Sequence, residues 1–250
     1  MKRTLLAASL LTLGLSGCVS DEHSQLLGAG VKAWQGFTLS KSELQAQASL
    51  SAKQMDRENE LAPKDSKYSK RLDKLTANLL QVDGTPLNFQ VYLDDEINAF
   101  AMPDGTIRVY SGLMDAMHDD ELVAVIGHEM GHIKHEHSLS QFKATYMAAA
   151  ARQAASAFGE KAAKLASSEY ADMGVEFMSA QFSQKDELES DLYGIEVLCQ
   201  LNMDPYAALR AQQVLLKHAA SEGGLFATHP SSNERIDQAR TAAGNASCRS

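Results

Sequence analysis

Beyond its N-terminus the 250-residue sequence has no apolar run of the roughly twenty residues that a bilayer-spanning helix needs, which excludes a polytopic membrane protein. Basic residues are in deficit, 23 Lys and Arg against 32 Asp and Glu, for a formal charge of -9. Phosphate backbones are gripped by clustered Lys and Arg, so nucleic acid is not an expected partner. Gly28-Ala29-Gly30 has no strand before it and no third glycine after it, so a nucleotide-binding loop is absent too. No repeat period is visible. Cysteine is scarce, three in all, and the first of them closes an N-terminal leader. What remains is an ordinary globular balance, 44% hydrophobic and 22% charged with a mean hydropathy of -0.25. That balance excludes a disordered or collagen-like chain and suffices for one sizeable core.

The leader reads as an address. Lys2 and Arg3 precede an uncharged, apolar or small run from Thr4 to Gly17, too short to span a bilayer and suited to a secretory signal. Leu15-Ser16-Gly17-Cys18 has the form of a bacterial lipobox, in which cleavage precedes a cysteine that then receives acyl chains such as palmitate. Val19, rather than Asp, follows it, which points to the outer membrane, with the protein facing the periplasm. The expected division is a lipoprotein signal peptide over 1–17, a lipidated tether and lead-in helix over 18–60, and the main domain over 61–250. In an oxidising periplasm, Cys199 and Cys248 read as a disulfide tying the C-terminal tail to a helix end; two free thiols are the alternative.

The expected fold class is α+β, helix-dominated, with a small β-sheet. Ser40 and Glu43 form a capping-box pattern that opens a helix to about Asn59, and Pro63 breaks it. Tyr68 to Gln81 reads as a second helix, with Leu72, Leu75, Leu79 and Leu80 as its apolar stripe. Phe89 to Leu93, Asn98 to Met102 and Thr106 to Tyr110 read as extended, the last two joined by Pro103-Asp104-Gly105 as a hairpin turn. Asp119 or Asp120 would cap a helix running through about His137. Further helices are expected over Gln141 to Ala166, Lys185 to Leu201 and Pro205 to Ala220.

The chemistry sits in His128-Glu129-Met130-Gly131-His132. On a helix, positions i and i+4 lie one turn apart on one face, so both imidazoles can converge on one ion while Glu129 reaches a water beside it. An exposed helix with two incidental histidines would not have Leu122, Val123, Val125 and Ile126 just before them. A catalytic zinc takes three protein ligands and keeps a position for water. His135, His137, His229, Asp186, Glu187, Glu189 and Asp191 are the candidates for the third. His135 lies two turns from His128, about 10 Å along the axis, too far for all three imidazoles to share one ion. His137 lies at the azimuth opposite His128 on the helix and is given no ligand role.

These residues resemble the HtpX and BepA group of HExxH zinc metallopeptidases, in particular its LoiP-type lipoprotein branch. The likeness covers roughly Ser51 to Asp237. It rests on Asn98-Ala99-Phe100, the Gly105-to-Leu113 strand and turn, the HEMGH helix, Phe182 to Asp191, Thr228-His229-Pro230 and Glu234-Arg235-Ile236. The resemblance implies a zincin-like metalloprotease domain with the sheet flanking the active-site helix. It also implies one Zn²⁺ per chain, with Glu187 as third ligand and Asp191 as the partner that holds a ligating imidazole. Ser190 departs from the Ala usual in the family's E-x-x-A-D motif. His229 matches a position near the cleft that approaches the metal or stabilises an oxyanion, and Asn98, Ala99 and Phe100 match the edge where substrate adds as a strand.

The expected activity is zinc-dependent endopeptidase action on unfolded or damaged envelope proteins, with Glu129 as base. The expected partners are extended polypeptides, a membrane through the lipid at Cys18, and outer-membrane protein assembly machinery. A periplasmic chaperone or assembly factor with latent or absent proteolysis is the first alternative. The intact Glu129 argues against it, because a purely structural zinc site has no use for a base. A metal-storage lipoprotein would need more His or Cys than His135 and His137 add.

Overall fold

The computed structural model describes residues 39–156, 169–218, 225–230 and 233–248. The expected signal, lipidated cysteine and tether through residue 38 lie outside the described residues, as does the end of the Ala-rich helix after 156.

Ser40 opens α1 (Lys41–Glu58) with the expected capping box, its hydroxyl accepting from the Glu43 N–H and the Glu43 carboxylate accepting in return. Ser66 caps α2 (Lys67–Thr76). That helix stops five residues short of the expected end at Gln81. The Leu79 N–H donates to the Thr76 carbonyl, and Gln81 already belongs to a hairpin of β1 (Gln81–Val82) and β2 (Thr85–Pro86). Its turn is Asp83-Gly84, both at positive φ (45° and 78°), the backbone that a two-residue hairpin demands. Leu72 and Leu79 are buried, whereas Leu80 is 72% exposed and belongs to no apolar stripe.

The main sheet comprises β3 (Asn88–Tyr92), β4 (Ala99–Ala101) and β5 (Thr106–Tyr110) in the order β3-β5-β4. β5 runs parallel to β3 and antiparallel to β4, and all five of its residues are buried. Alternation along the strands splits the core in two. Val91, Ala99, Ala101, Ile107 and Val109 face a larger cluster built with Leu122, Val123, Val125 and Ile126. Tyr92, Phe100 and Tyr110 face a smaller one with Leu44, Ala48 and Met55 of α1 and with Phe142 and Phe177. Each buried Val, Ile, Leu, Met or Phe among them contributes about 1.5–3 kcal/mol. Arg108 is buried on that second face, where it donates twice to Asp56, both at 2.8 Å, beside the Tyr92 hydroxyl.

A short α3 (Ser111–Ala116) leads to α4 (Asp119–Lys134), buried almost continuously from Glu121 to Ile133. His118, not an aspartate, takes the N-cap position; its N–H donates to Glu121, and Asp119 and Asp120 fall in the first turn, where the helix dipole favours negative charge. The helix also ends earlier than expected. His135 closes it and Glu136 takes φ 59°, so His137 starts a separate helix, α5 (His137–Ser156). The remaining elements are α6 (Glu169–Ser179), α7 (Gln184–Gln200), α8 (Ala207–His218), α9 (Leu225–Thr228) and α10 (Asn233–Asn245). Among the described residues no helix is long and apolar enough to cross a membrane.

Packing of α7 against α4 places the chemistry. A Cβ at Gly127 would lie 2.9 Å from the Gly194 Cα, and one at Gly131 would lie 2.8 Å from the Ser190 Cα. The two backbones therefore touch where Glu187 and Asp191 pass over His128 and His132. Cys199, near the end of α7, is bonded to Cys248 beyond α10.

Candidate metal centre

His128 and His132 lie one turn apart on α4, both buried. Their Nε2 atoms are 3.0 Å apart. Glu187 enters from the first turn of α7, its carboxylate 3.4 Å from His132 Nε2 and 3.6 Å from His128 Nε2. His229, just after α9, places Nδ1 3.2 Å from His128 Nε2 and 2.9 Å from Glu187 Oε1. These four side chains offer one donor atom each within 4.8 Å of one another.

Asp191 sets the tautomer. A carboxylate only accepts, so His128 Nδ1–H donates to Asp191 Oδ1 at 2.9 Å, which leaves Nε2 as a bare lone pair facing the other imidazoles. Lone pairs this close in a buried site suit a shared cation. Ligands of a tetrahedral zinc with bonds of about 2.1 Å stand about 3.4 Å apart, which matches the observed spacings. The donor set of imidazoles and one carboxylate fits a zinc-class ion.

Arg235, from α10, is a member of the centre that the sequence did not reveal. Its guanidinium donates to both Asp191 oxygens at 2.7 Å and lies 2.6 Å from Glu187 Oε2, and Nη1 also donates to the Pro230 carbonyl at 3.1 Å. One buried cation thus fixes both carboxylates and the segment that carries His229. Gln212 of α8 donates to Asp191 at 3.1 Å, and Phe182 stacks on His132 with ring centroids 3.8 Å apart. Only the resemblance marked the neighbourhood of Arg235, through Glu234-Arg235-Ile236. No local pattern announces a residue that acts 44 positions from its partner.

Electrostatics follow from burial and these contacts. Burial holds the His132 imidazole well below its usual range, in the neutral, ligating form. Burial alone would raise the Glu187 carboxyl, but His229 and His128 outweigh it and hold it far below the carboxylate range. Burial would lower His229, yet the Glu187 and Glu129 carboxylates facing it win and raise it. Burial pushes the Glu129 carboxyl up, the direction a proton acceptor near neutrality requires. Glu129 Oε1 is buried without a hydrogen-bond partner, 3.6 Å from His229 Nε2.

Among the other candidates, His135 is exposed on the surface at the end of α4. His137, Asp186 and Glu189 gather separately. Asn98, Ala99 and Phe100 are buried as side chains, and β4 is an outer strand of the sheet, so only its backbone edge is presented. The Leu225 N–H donates to the Ile97 carbonyl, which ties the His229 segment to the approach of that edge.

Residues 63–243 match the sequence model of Peptidase family M48. The chain is 36% identical over 241 residues to Metalloprotease LoiP of Escherichia coli (strain K12), covering 95% of both chains. It is likewise 36% identical over 250 residues to Metalloprotease YcaL of the same organism, covering 96% of this chain and 97% of that one. The Beta-barrel assembly-enhancing protease of Yersinia pestis is 28% identical over 260 residues, 97% of this chain but 53% of its own length.

Proposed function

The chain belongs to peptidase family M48 and is a metalloendopeptidase, and on that premise we propose a zinc enzyme of the bacterial periplasm, lipid-anchored at Cys18 in the outer membrane, that cleaves unfolded or damaged envelope proteins. The observation that carries the reading is the buried convergence of His128, His132 and Glu187 with Glu129 beside them.

In this account those three side chains would hold the zinc, which when bound would supply Lewis acidity toward water and the scissile carbonyl. Glu129 takes the proton from the attacking water and delivers it to the leaving amine. Its raised carboxyl suits both halves of that task. Asp191 keeps His128 in the ligating tautomer, and Arg235 neutralises the excess carboxylate charge around the pair. An extended peptide adds along the backbone edge of β4, which selects chains that are locally unfolded.

His229 stands inside the donor cluster. With Nδ1 beside His128 Nε2 and Glu187, it stands as a fourth donor, where a catalytic centre keeps a place for water. If His229 bound the ion as well, the place for water would be filled, and cleavage would need His229 to withdraw. That arrangement favours a second reading, an outer-membrane assembly factor whose proteolysis is latent. One relative at 28% identity is named for β-barrel assembly, which supports contact with that machinery.

Two measurements test the proposal. Fractionated cells should hold the protein in the outer membrane and release it when Cys18→Ser is introduced. The purified chain should degrade casein, lose that activity to a chelator and regain it with zinc. A soluble wild type contradicts the anchor, and a folded, zinc-loaded wild type that leaves casein intact favours the latent factor.

A further inference from the structure

We propose that His137, Asp186 and Glu189 form an accessory binding site for a divalent cation of the zinc class, beside the catalytic centre and separate from it. The positive φ at Glu136 breaks α4 from α5 and swings the His137 imidazole back to 5.3 Å from the His132 ring. There it is 8% exposed, with Nε2 3.2 Å from Glu189 Oε2 and 3.5 Å from Asp186 Oδ1. The three donor atoms lie within 4.8 Å of one another. These spacings bracket the roughly 3.4 Å between ligands of a tetrahedral ion with bonds of about 2.1 Å.

Each ligand is aimed by a second contact. Asp186 uses Oδ2 to accept from the Ser183 N–H at the start of α7, which leaves Oδ1 toward His137. Glu189 pairs Oε1 with the exposed Lys185 at 3.3 Å, which leaves Oε2 inward. Without an ion, His137 Nε2–H donates to Glu189 Oε2 at 3.2 Å, because a carboxylate only accepts; in the other tautomer Nδ1–H donates to Ser190 Oγ at 3.4 Å and Nε2 is freed for an ion. A cation would take the place of that proton between Nε2 and the two carboxylates, and an outer partner on the far nitrogen is how ligating imidazoles are ordinarily held.

A solvated acidic helix face would explain Asp186 and Glu189 alone. Here a buried imidazole joins them and supplies a third donor of the kind a zinc-class ion takes. The site is also reachable. Asp186 and Glu189 are partly exposed, and the exposed His135 ring stacks on His137 at 5.5 Å and 25°. Asp186 and Glu189 flank Glu187 on one turn of α7, so an ion held here shares a rigid element with the catalytic set. The inference does not depend on the assignment of that set.

Zinc titration of the full-length chain in detergent, stripped of metal and followed by calorimetry, tests it. The wild type should bind two equivalents. Glu189→Gln, at the rim and of the same shape, should lose the second or weaken it at least tenfold, as should His137→Ala if it folds. Glu187→Gln should keep the second equivalent and lose the first, which separates this proposal from the catalytic one. A single equivalent in the wild type, or a second that survives Glu189→Gln undiminished, overturns it.

Discussion

At the scale of single residues, the centre divides by how its members are encoded. His128, Glu129 and His132 were legible because helical periodicity places i and i+4 together without reference to the rest of the chain. Glu187 and Asp191 share a face for the same reason, although which of them approaches the metal came from family likeness. Arg235, Gln212 and Phe182 were not legible, because only tertiary packing brings them to their partners. Arg235 is the most consequential of them. Arg235→Met would leave Glu187 and Asp191 buried without their cation, and zinc affinity should fall about 10–100-fold, with Arg235→Lys restoring part of it; competition with a chromogenic chelator measures this. A second buried pair makes a pH prediction away from the metal. Burial raises the Asp56 carboxyl, but the two hydrogen bonds from Arg108 outweigh it and hold it below its ordinary value. A depressed carboxyl stabilises the fold above the unfolded-chain value of about 3.9, and that stability is lost as pH falls through the folded value. The gap in melting temperature between wild type and Asp56→Asn should therefore be full at pH 6 and close toward pH 3; a gap that stays constant contradicts the pairing.

At the scale of elements, local signals set where helices start better than where they stop. The capping box at Ser40 and Glu43 placed α1, and the burial of Leu122 to Ile126 followed from their run before the histidines. α2 stops before Leu79 and Leu80 because Asp83-Gly84 turns the chain into a two-residue hairpin, a tertiary pairing that the leucine spacing does not register. The break between α4 and α5 carried no Gly or Pro, and a glutamate at φ 59° is not foreseeable from composition. The parallel pairing of β3 with β5 also depends on the whole topology. Contact between α4 and α7 is where element geometry becomes site geometry. Gly131→Ala would press a methyl group against the Ser190 backbone, which cannot rotate aside. Such overpacking costs about 1–3 kcal/mol, and the separated helices should also bind zinc more weakly. Thermal denaturation with a parallel zinc titration tests both, and an alanine variant as stable as wild type would show that the helices are not in backbone contact.

At the scale of the whole molecule, three parts distant in sequence close one centre: α4 with both histidines, α7 with Glu187 and Asp191, and His229 together with Arg235 of α10. The Cys199–Cys248 bond ties the end of α7 to the chain beyond α10, the two helices whose side chains meet at Asp191 and Arg235. α1 covers the second face of the sheet, so the helix expected as a lead-in contributes to the core. The central claim is that Glu129 moves the proton at a metal centre that His128, His132 and Glu187 hold without it. The measurement that tests it most directly compares casein cleavage by the wild type and by Glu129→Gln, with bound zinc assayed in both. The account predicts a variant that retains zinc and has lost cleavage by several orders of magnitude. A variant that retains zinc and still cleaves, with its activity abolished by a chelator, would contradict it.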